Sequence, residues 1–202
     1  MQHIIKNVEA LWPRINRTYK FDQQERKSVP CDKLDPQAEY SISFEMTPVQ
    51  AKELWGKMLE AYKAKADPTW PEKPVNPFKK NDVGYFVGKA KLKGVYNGEA
   101  SKGVAQFNAQ NKKLDADFLL TTGSKVNLAV TFVPYNMREA GVSMRLRAVQ
   151  VLELKEMEDQ NPFGPVADAA PADDPFGLPP IETAPKKEEQ KASVDFDDEI
   201  PF

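Results

Sequence analysis

The chain has 202 residues, with 28 Lys plus Arg against 30 Asp plus Glu, one His, one Cys and 17 Pro, for a formal charge of −2. The near-balance conceals a split: through Met157 there are 25 basic and 18 acidic side chains, net +7, and over 158–202 there are 3 basic and 12 acidic, net −9. One Cys excludes an internal disulfide, one Cys with one His falls short of a four-ligand zinc site, and no apolar run approaches the roughly 18 residues of a membrane span or forms a signal-peptide core. The expectation is a soluble protein of a reducing, cytoplasmic compartment, with no cofactor and no metal.

Residues 1–157 are enough for one domain that buries roughly 70% of its unfolded surface. Residues 158–202 differ in kind: they hold eight prolines, few aliphatic side chains and the runs AAPADDP and PKKEEQK. Such a composition cannot offset chain entropy by burial, so a disordered acidic tail is expected. Within it Asn161-Pro162-Phe163-Gly164 recurs as Asp174-Pro175-Phe176-Gly177.

In chain order, Arg17, Tyr19 and Phe21 alternate and predict a first strand. Tyr40, Ile42, Phe44 and Met46 alternate with Ser41, Ser43 and Glu45, the period of a half-buried strand. Thr47, Pro48 and Gln50 then occupy Ncap, N1 and N3 of a capping box, and Ala51, Leu54, Trp55, Met58 and Tyr62 recur at helical spacing until Asp67-Pro68. Residues 68–82, with four prolines, Trp70 and Phe78, predict a long loop. Phe78 reads as a loop anchor, and Trp70 is open to either anchoring or stacking.

Asn97-Gly98 is a strong two-residue hairpin signal, because both central positions of a type I′ turn need positive φ. If the turn is the tight one, paired positions sum to 195, so Lys93 faces Lys102, Lys91 faces Val104 and Lys89 faces Gln106, with Tyr85 on that face. Phe86, Ala90 and Leu92 point the other way, and Phe107 meets Gly88. Like charges set opposite one another are unfavourable, so such a face is suited to an anion. Two further strands follow: Val126, Leu128, Val130 and Phe132 alternate with Asn127, Ala129, Thr131 and Val133, and Val142, Met144, Leu146 and Ala148 alternate with Ser143, Arg145 and Arg147, which again exposes basic residues on one side. About six strands and one main helix fit a mostly β fold, a small, partly open antiparallel barrel.

Catalytic chemistry finds little support. His3 stands at a mobile-looking terminus, Cys31 lies in the turn-like Pro30-Cys31-Asp32, Asp115 and Asp117 read as solvated carboxylates, and glycines 84, 88 and 94 match no phosphate-binding fingerprint. The expectation is a non-enzyme. Basic strand faces point to binding instead: Tyr85, Lys89, Lys91, Lys93, Lys102, Arg145 and Arg147, with Trp70, combine stacking surface with charge that neutralises phosphates. An ordinary solvated sheet carries the same residue types, and pattern alone leaves both readings standing.

The stretch Asp195-Phe196-Asp197-Asp198-Glu199-Ile200-Pro201-Phe202 closely resembles the acidic tip of bacterial single-stranded DNA-binding proteins. The body differs from that family, since no opening strand is read and a helix directly follows the early strand. Tyr135-Asn136, Gly141-Val142-Ser143 and Ala148-Val149-Gln150 make it look more like a phage single-stranded DNA-binding replication protein, with an oligonucleotide/oligosaccharide-binding (OB) fold and an acidic tail. That resemblance implies sequence-independent coating of single-stranded DNA in replication, recombination or repair inside an infected bacterium. It also implies docking of host or phage replication and repair proteins on residues 195–202. It leaves the oligomeric state open, and with it two alternatives, a strand-annealing recombination mediator and a protein-only OB adaptor.

Overall fold

The computed structural model describes residues 2–156. The expected tail from 158, its two Phe-Gly repeats and the tip at 195–202 lie outside the described residues. In chain order the elements are β1 Gln2–Asp22, β2 Lys27–Pro30, β3 Glu39–Met46, α1 Pro48–Lys65, β4 Lys79–Lys80, β5 Phe86–Lys93, β6 Val95–Tyr96, β7 Glu99–Ala100, β8 Ala105–Phe107, β9 Lys125–Asn136 and β10 Ala140–Glu153. Strands β1, β3, β5, β10 and β9 form a closed five-stranded barrel, because β1 pairs with both β3 and β9, and β5 meets β10. The expected OB-like β architecture is present, but the barrel is closed rather than partly open. Its seam is short and parallel, consisting of Met144↔Ala90 and Arg145↔Lys91.

The inward sets are those of a period-2 pattern. Tyr40, Ile42, Phe44 and Met46 of β3 and Val126, Leu128, Val130 and Phe132 of β9 are all buried. Gly88 of β5 is paired with Phe44, and a Cβ there would lie 2.7 Å from the Phe44 ring. The large-against-small match expected at Gly88 is therefore made by Phe44 and not by Phe107. Helix α1 begins as its capping box requires: Gln50 N–H donates to Thr47 Oγ1 (3.3 Å) and Thr47 N–H to Gln50 Oε1 (2.9 Å). It buries Ala51, Leu54, Met58 and Tyr62 and packs on β9 and β10.

Strand β1 is the main departure from the sequence reading, which began it near Arg17. Its buried residues are Ile5, Val8, Ala10, Ile15 and Thr18, a spacing that is not 2, because register shifts fall between Ile5 and Val8, between Leu11 and Arg14, and between Arg14 and Tyr19. Asn7 and Trp12 adopt positive φ within two of these intervals, as bulge residues do. The opening strand thus exists, and His3 belongs to it: its ring stacks on Phe132 with centroids 4.1 Å apart. A fourth bulge, between Leu146 and Ala148 in β10, turns Ala148 partly outward and places Val149 and Val151 in the core.

The long hairpin expected from Asn97-Gly98 survives only at its tip. Val95 pairs with Ala100 and Tyr96 with Glu99, around Asn97 and Gly98 at φ 51° and 81°. Beyond Ser101 the chain turns at Gly103 (φ 76°) against the Tyr40 ring, and β8 runs parallel to β10 instead. Lys93, Lys91 and Lys89 consequently face Glu39, Ser41 and Ser43 of β3, not Lys102, Val104 and Gln106. Gln106 is buried and donates to the Phe118 carbonyl. Cys31 is half-buried, and burial raises its thiol above the ordinary value. Among the described residues no helix is long and apolar enough to cross a membrane.

Candidate nucleic-acid interface

Alternation in β5 sends Gly88, Ala90 and Leu92 inward, which leaves Lys89, Lys91 and Lys93 outside. Pairing then extends their face sideways in one row: Arg14 on β1, Ser41 on β3, Lys91 on β5, Arg145 on β10 and Thr131 on β9. A groove of about 450 Å³ opens where Lys91 and Arg145 meet in this row, lined by Glu39, the three lysines, Tyr96, Tyr135 and Arg145, with Pro77 and Val133 among its apolar walls. Two aromatic rings and four cations thus share one concave surface.

The side chains are held by specific contacts. Lys91 Nζ lies 2.8 Å from Glu39 Oε2, and Lys89 Nζ lies 4.0 Å from Glu39 Oε1. Partial burial and the Lys91 charge pull the Lys89 ammonium below its ordinary range, against the opposing pull of Glu39. The Arg145 guanidinium sits over the Tyr96 ring, 5.2 Å from its centroid. Tyr135 is seated by a missing side chain: a Cβ on Gly141, its cross-strand partner, would come within 2.5 Å of the Tyr135 hydroxyl. At the β1 end, Arg14 and Arg17 flank the Tyr19 ring at 5.7 and 5.6 Å. A concave, cationic face with exposed rings can neutralise phosphates while stacking bases, without a donor pattern that would select one base.

Of the residues singled out in the sequence, Lys89, Lys91, Lys93 and Arg145 come together in this groove. Arg147 is exposed two residues further on and donates to Thr131 Oγ1 at 3.2 Å. Lys102 is exposed in the loop after β7. Tyr85 lies apart, in a separate recess beside Glu9, Glu45 and Lys125. Trp70 packs on Tyr62 with centroids 5.4 Å apart, and Phe78 is buried against Trp55, the anchoring role expected of it. Tyr96, Tyr135, Glu39 and Arg14 were not singled out as site residues. Tyr96 had a usable signal, since a residue next to an Asn-Gly turn projects beyond the sheet; Arg14 had none, because a bulge precedes it.

No family model and no curated protein sequence matches this chain. Solved structures do. The single-stranded DNA-binding protein gp2.5 of bacteriophage T7 is similar over 80% of this chain and 92% of its own, with TM-score 0.56 and 17% identity. The single-stranded DNA-binding protein of bacteriophage Enc34 is similar over 81% of this chain and 87% of its own, with TM-score 0.53 and 15% identity. The Enc34 protein in complex with single-stranded DNA is similar at TM-score 0.52 and 16% identity, over 77% of this chain and 88% of that one. The chain has the OB-like barrel fold of these phage proteins.

Proposed function

We propose that the protein binds single-stranded DNA without reading its sequence, as a non-enzymatic component of phage replication and recombination. The observation that carries this reading is the groove that gathers Lys89, Lys91, Lys93 and Arg145 around Tyr96 and Tyr135. The fold supports it, since the similar phage structures are of single-stranded DNA-binding proteins, one of them in complex with single-stranded DNA. Lysines and Arg145 take the phosphates, and the tyrosines take base faces. Titration of fluorescent single- and double-stranded oligonucleotides across a salt series tests it. Single strands should bind more tightly, with log affinity falling against log salt at a slope of about −2.8 for four neutralised phosphates. A flat salt response or equal affinity for duplex would overturn it.

The acidic segment Asp195, Phe196, Asp197, Asp198, Glu199, Ile200, Pro201 and Phe202 is proposed as a docking peptide for replication and repair proteins. Its acids steer the encounter with a basic rim, and Ile200 and Phe202 supply the apolar anchor. Deleting 195–202 should abolish capture of bacterial replication proteins that recognise such tips, and undiminished capture would leave the segment a solubilising polyanion.

A further inference from the structure

The outer face continues past the groove. Two strands across from Lys91, by way of Ser41, lies Arg14, and two residues before it Trp12 exposes 65% of its surface. The backbone of Trp12 has φ 44°, a left-handed conformation that a bulky residue holds only at an energetic cost. The surroundings enforce it. The N–H of Trp12 donates to Thr122 Oγ1 at 3.0 Å, the N–H of Gly123 donates to the Ala10 carbonyl at 2.8 Å, and the N–H of Ala10 donates to the Ser124 carbonyl at 2.9 Å. The turn at 121–124 thus grips β1 where its register to β3 slips. A glycine would fit this kink without strain, so what the position gains from Trp is the ring.

The ring does not serve the core. Trp55 packs edge-on against Phe78 and Trp70 packs on Tyr62, whereas Trp12 is the one tryptophan of the three with a largely open surface. A bulge re-aims a side chain out of the sheet's regular alternation, and a rigid exposed indole is a sequence-tolerant stacking platform. Leu11 and Arg14, on either side of the kink, pair with Ser43 and Ser41, whose partners across β3 are Lys89 and Lys91, so Trp12 lies beyond the lysine row with one strand, β3, between. We infer that Trp12 is a base-stacking position, at which a single strand crossing from the lysine groove over β3 lays a base on the indole. This rests on the proposed single-stranded DNA binding.

The test uses the full chain titrated with an oligothymidylate, followed by tryptophan fluorescence and by an independent label on the DNA. The wild-type emission should be quenched on binding. Trp12→Phe should keep most of the affinity and lose most of the quench, while Trp12→Ala should bind roughly 5- to 150-fold more weakly, the loss of one stacked base. Trp12→Gly should bind as weakly as Trp12→Ala yet melt at the same or a higher temperature, which separates a lost contact from a damaged fold. Failure of the wild type to bind the labelled DNA would overturn the proposed function itself. Wild-type binding with a quench that persists in Trp12→Phe, or with undiminished affinity in Trp12→Ala and Trp12→Gly, would overturn the assignment of Trp12 alone.

Discussion

The Nζ of Lys91 lies 2.8 Å from Oε2 of Glu39, so the cationic groove already contains an anion where a phosphate would sit. Lys91 is half exposed, and such a pair contributes at most about 1 kcal/mol to folding. Under the proposed DNA binding its larger effect would fall on the ligand, which would have to displace it. Glu39→Gln should tighten single-stranded DNA binding by about 2- to 5-fold at low salt, the range of one exposed pair. Titrations at several salt concentrations check this; weaker binding would show that Glu39 orients the lysines rather than competing with the phosphate.

Tyr96 carries the Arg145 guanidinium over its ring and lines the groove, whereas Tyr85 sits beside Glu45 and Lys125. Tyr96→Ala should therefore cost about 1–3 kcal/mol of binding, the value of one stacked base, and Tyr85→Ala distinctly less. Equal losses would extend the strand's path across β3 to the Tyr85 recess.

Gly88→Ala places a methyl group 2.7 Å from the Phe44 ring inside the barrel. Overpacking of this kind costs about 1–3 kcal/mol, and Phe44→Leu in the same chain should recover part of it. Chemical denaturation of the two single variants and the double variant measures the coupling; additive losses would mean that the ring does not press on Gly88.

Burial lowers the pKa of His3 from its ordinary 6.5, with the Lys57 charge acting in the same direction and Glu60 against it. Above pH 6.5 the imidazole is neutral in both the folded and the unfolded chain and has no effect on stability. As the pH falls below that value the unfolded chain takes up its proton first, so stability declines until the lower folded pKa is passed and then levels off. Melting temperatures between pH 8 and pH 5 should fall more steeply for the wild type than for His3→Phe, which keeps a ring against Phe132 but does not titrate. Parallel curves would remove His3 from the acid response.

A segment of net charge −9 joined to a body of net charge +7 would, as a competitor for the proposed DNA site, act at high effective concentration. Removing 158–202 should tighten DNA binding at low salt, and the difference should vanish near 1 M salt, where the Debye length is about 3 Å. Equal affinities of the two proteins at low salt would rule out the competition.

What could be read in advance follows from the range of the forces involved. The capping box of α1, the alternation in β3 and β9 and the Asn97-Gly98 turn are local, and each stands where the residues indicated. The turn fixes register only as far as its own ladder reaches, and two residue pairs from it the partner of Lys93 is decided by Glu39, more than fifty positions away. Strand β1 was illegible for the opposite reason: bulges at Asn7 and Trp12 break the period of 2, so Ile5, Val8, Ala10 and Ile15 do not look like one face of anything. Three groove lysines and Arg145 were legible because exposed basic residues on a regular strand need only parity. Tyr85 shares that parity but stands just before β5 begins, where parity no longer sets direction.

The barrel closes where Ala90 and Lys91 meet Met144 and Arg145, and two of those four residues are cations abreast of each other. Like charges so placed push the two strands apart, and the fold answers by giving Lys91 the carboxylate of Glu39 and Arg145 the face of Tyr96. The weakest join of the cylinder and the floor of the groove are therefore the same few atoms. If the protein binds single-stranded DNA as proposed, a polyanion laid across them would act as a rivet, since neutralising the pair would hold the hoop shut, and a hoop that loosened at this point would release the bound strand at the same moment.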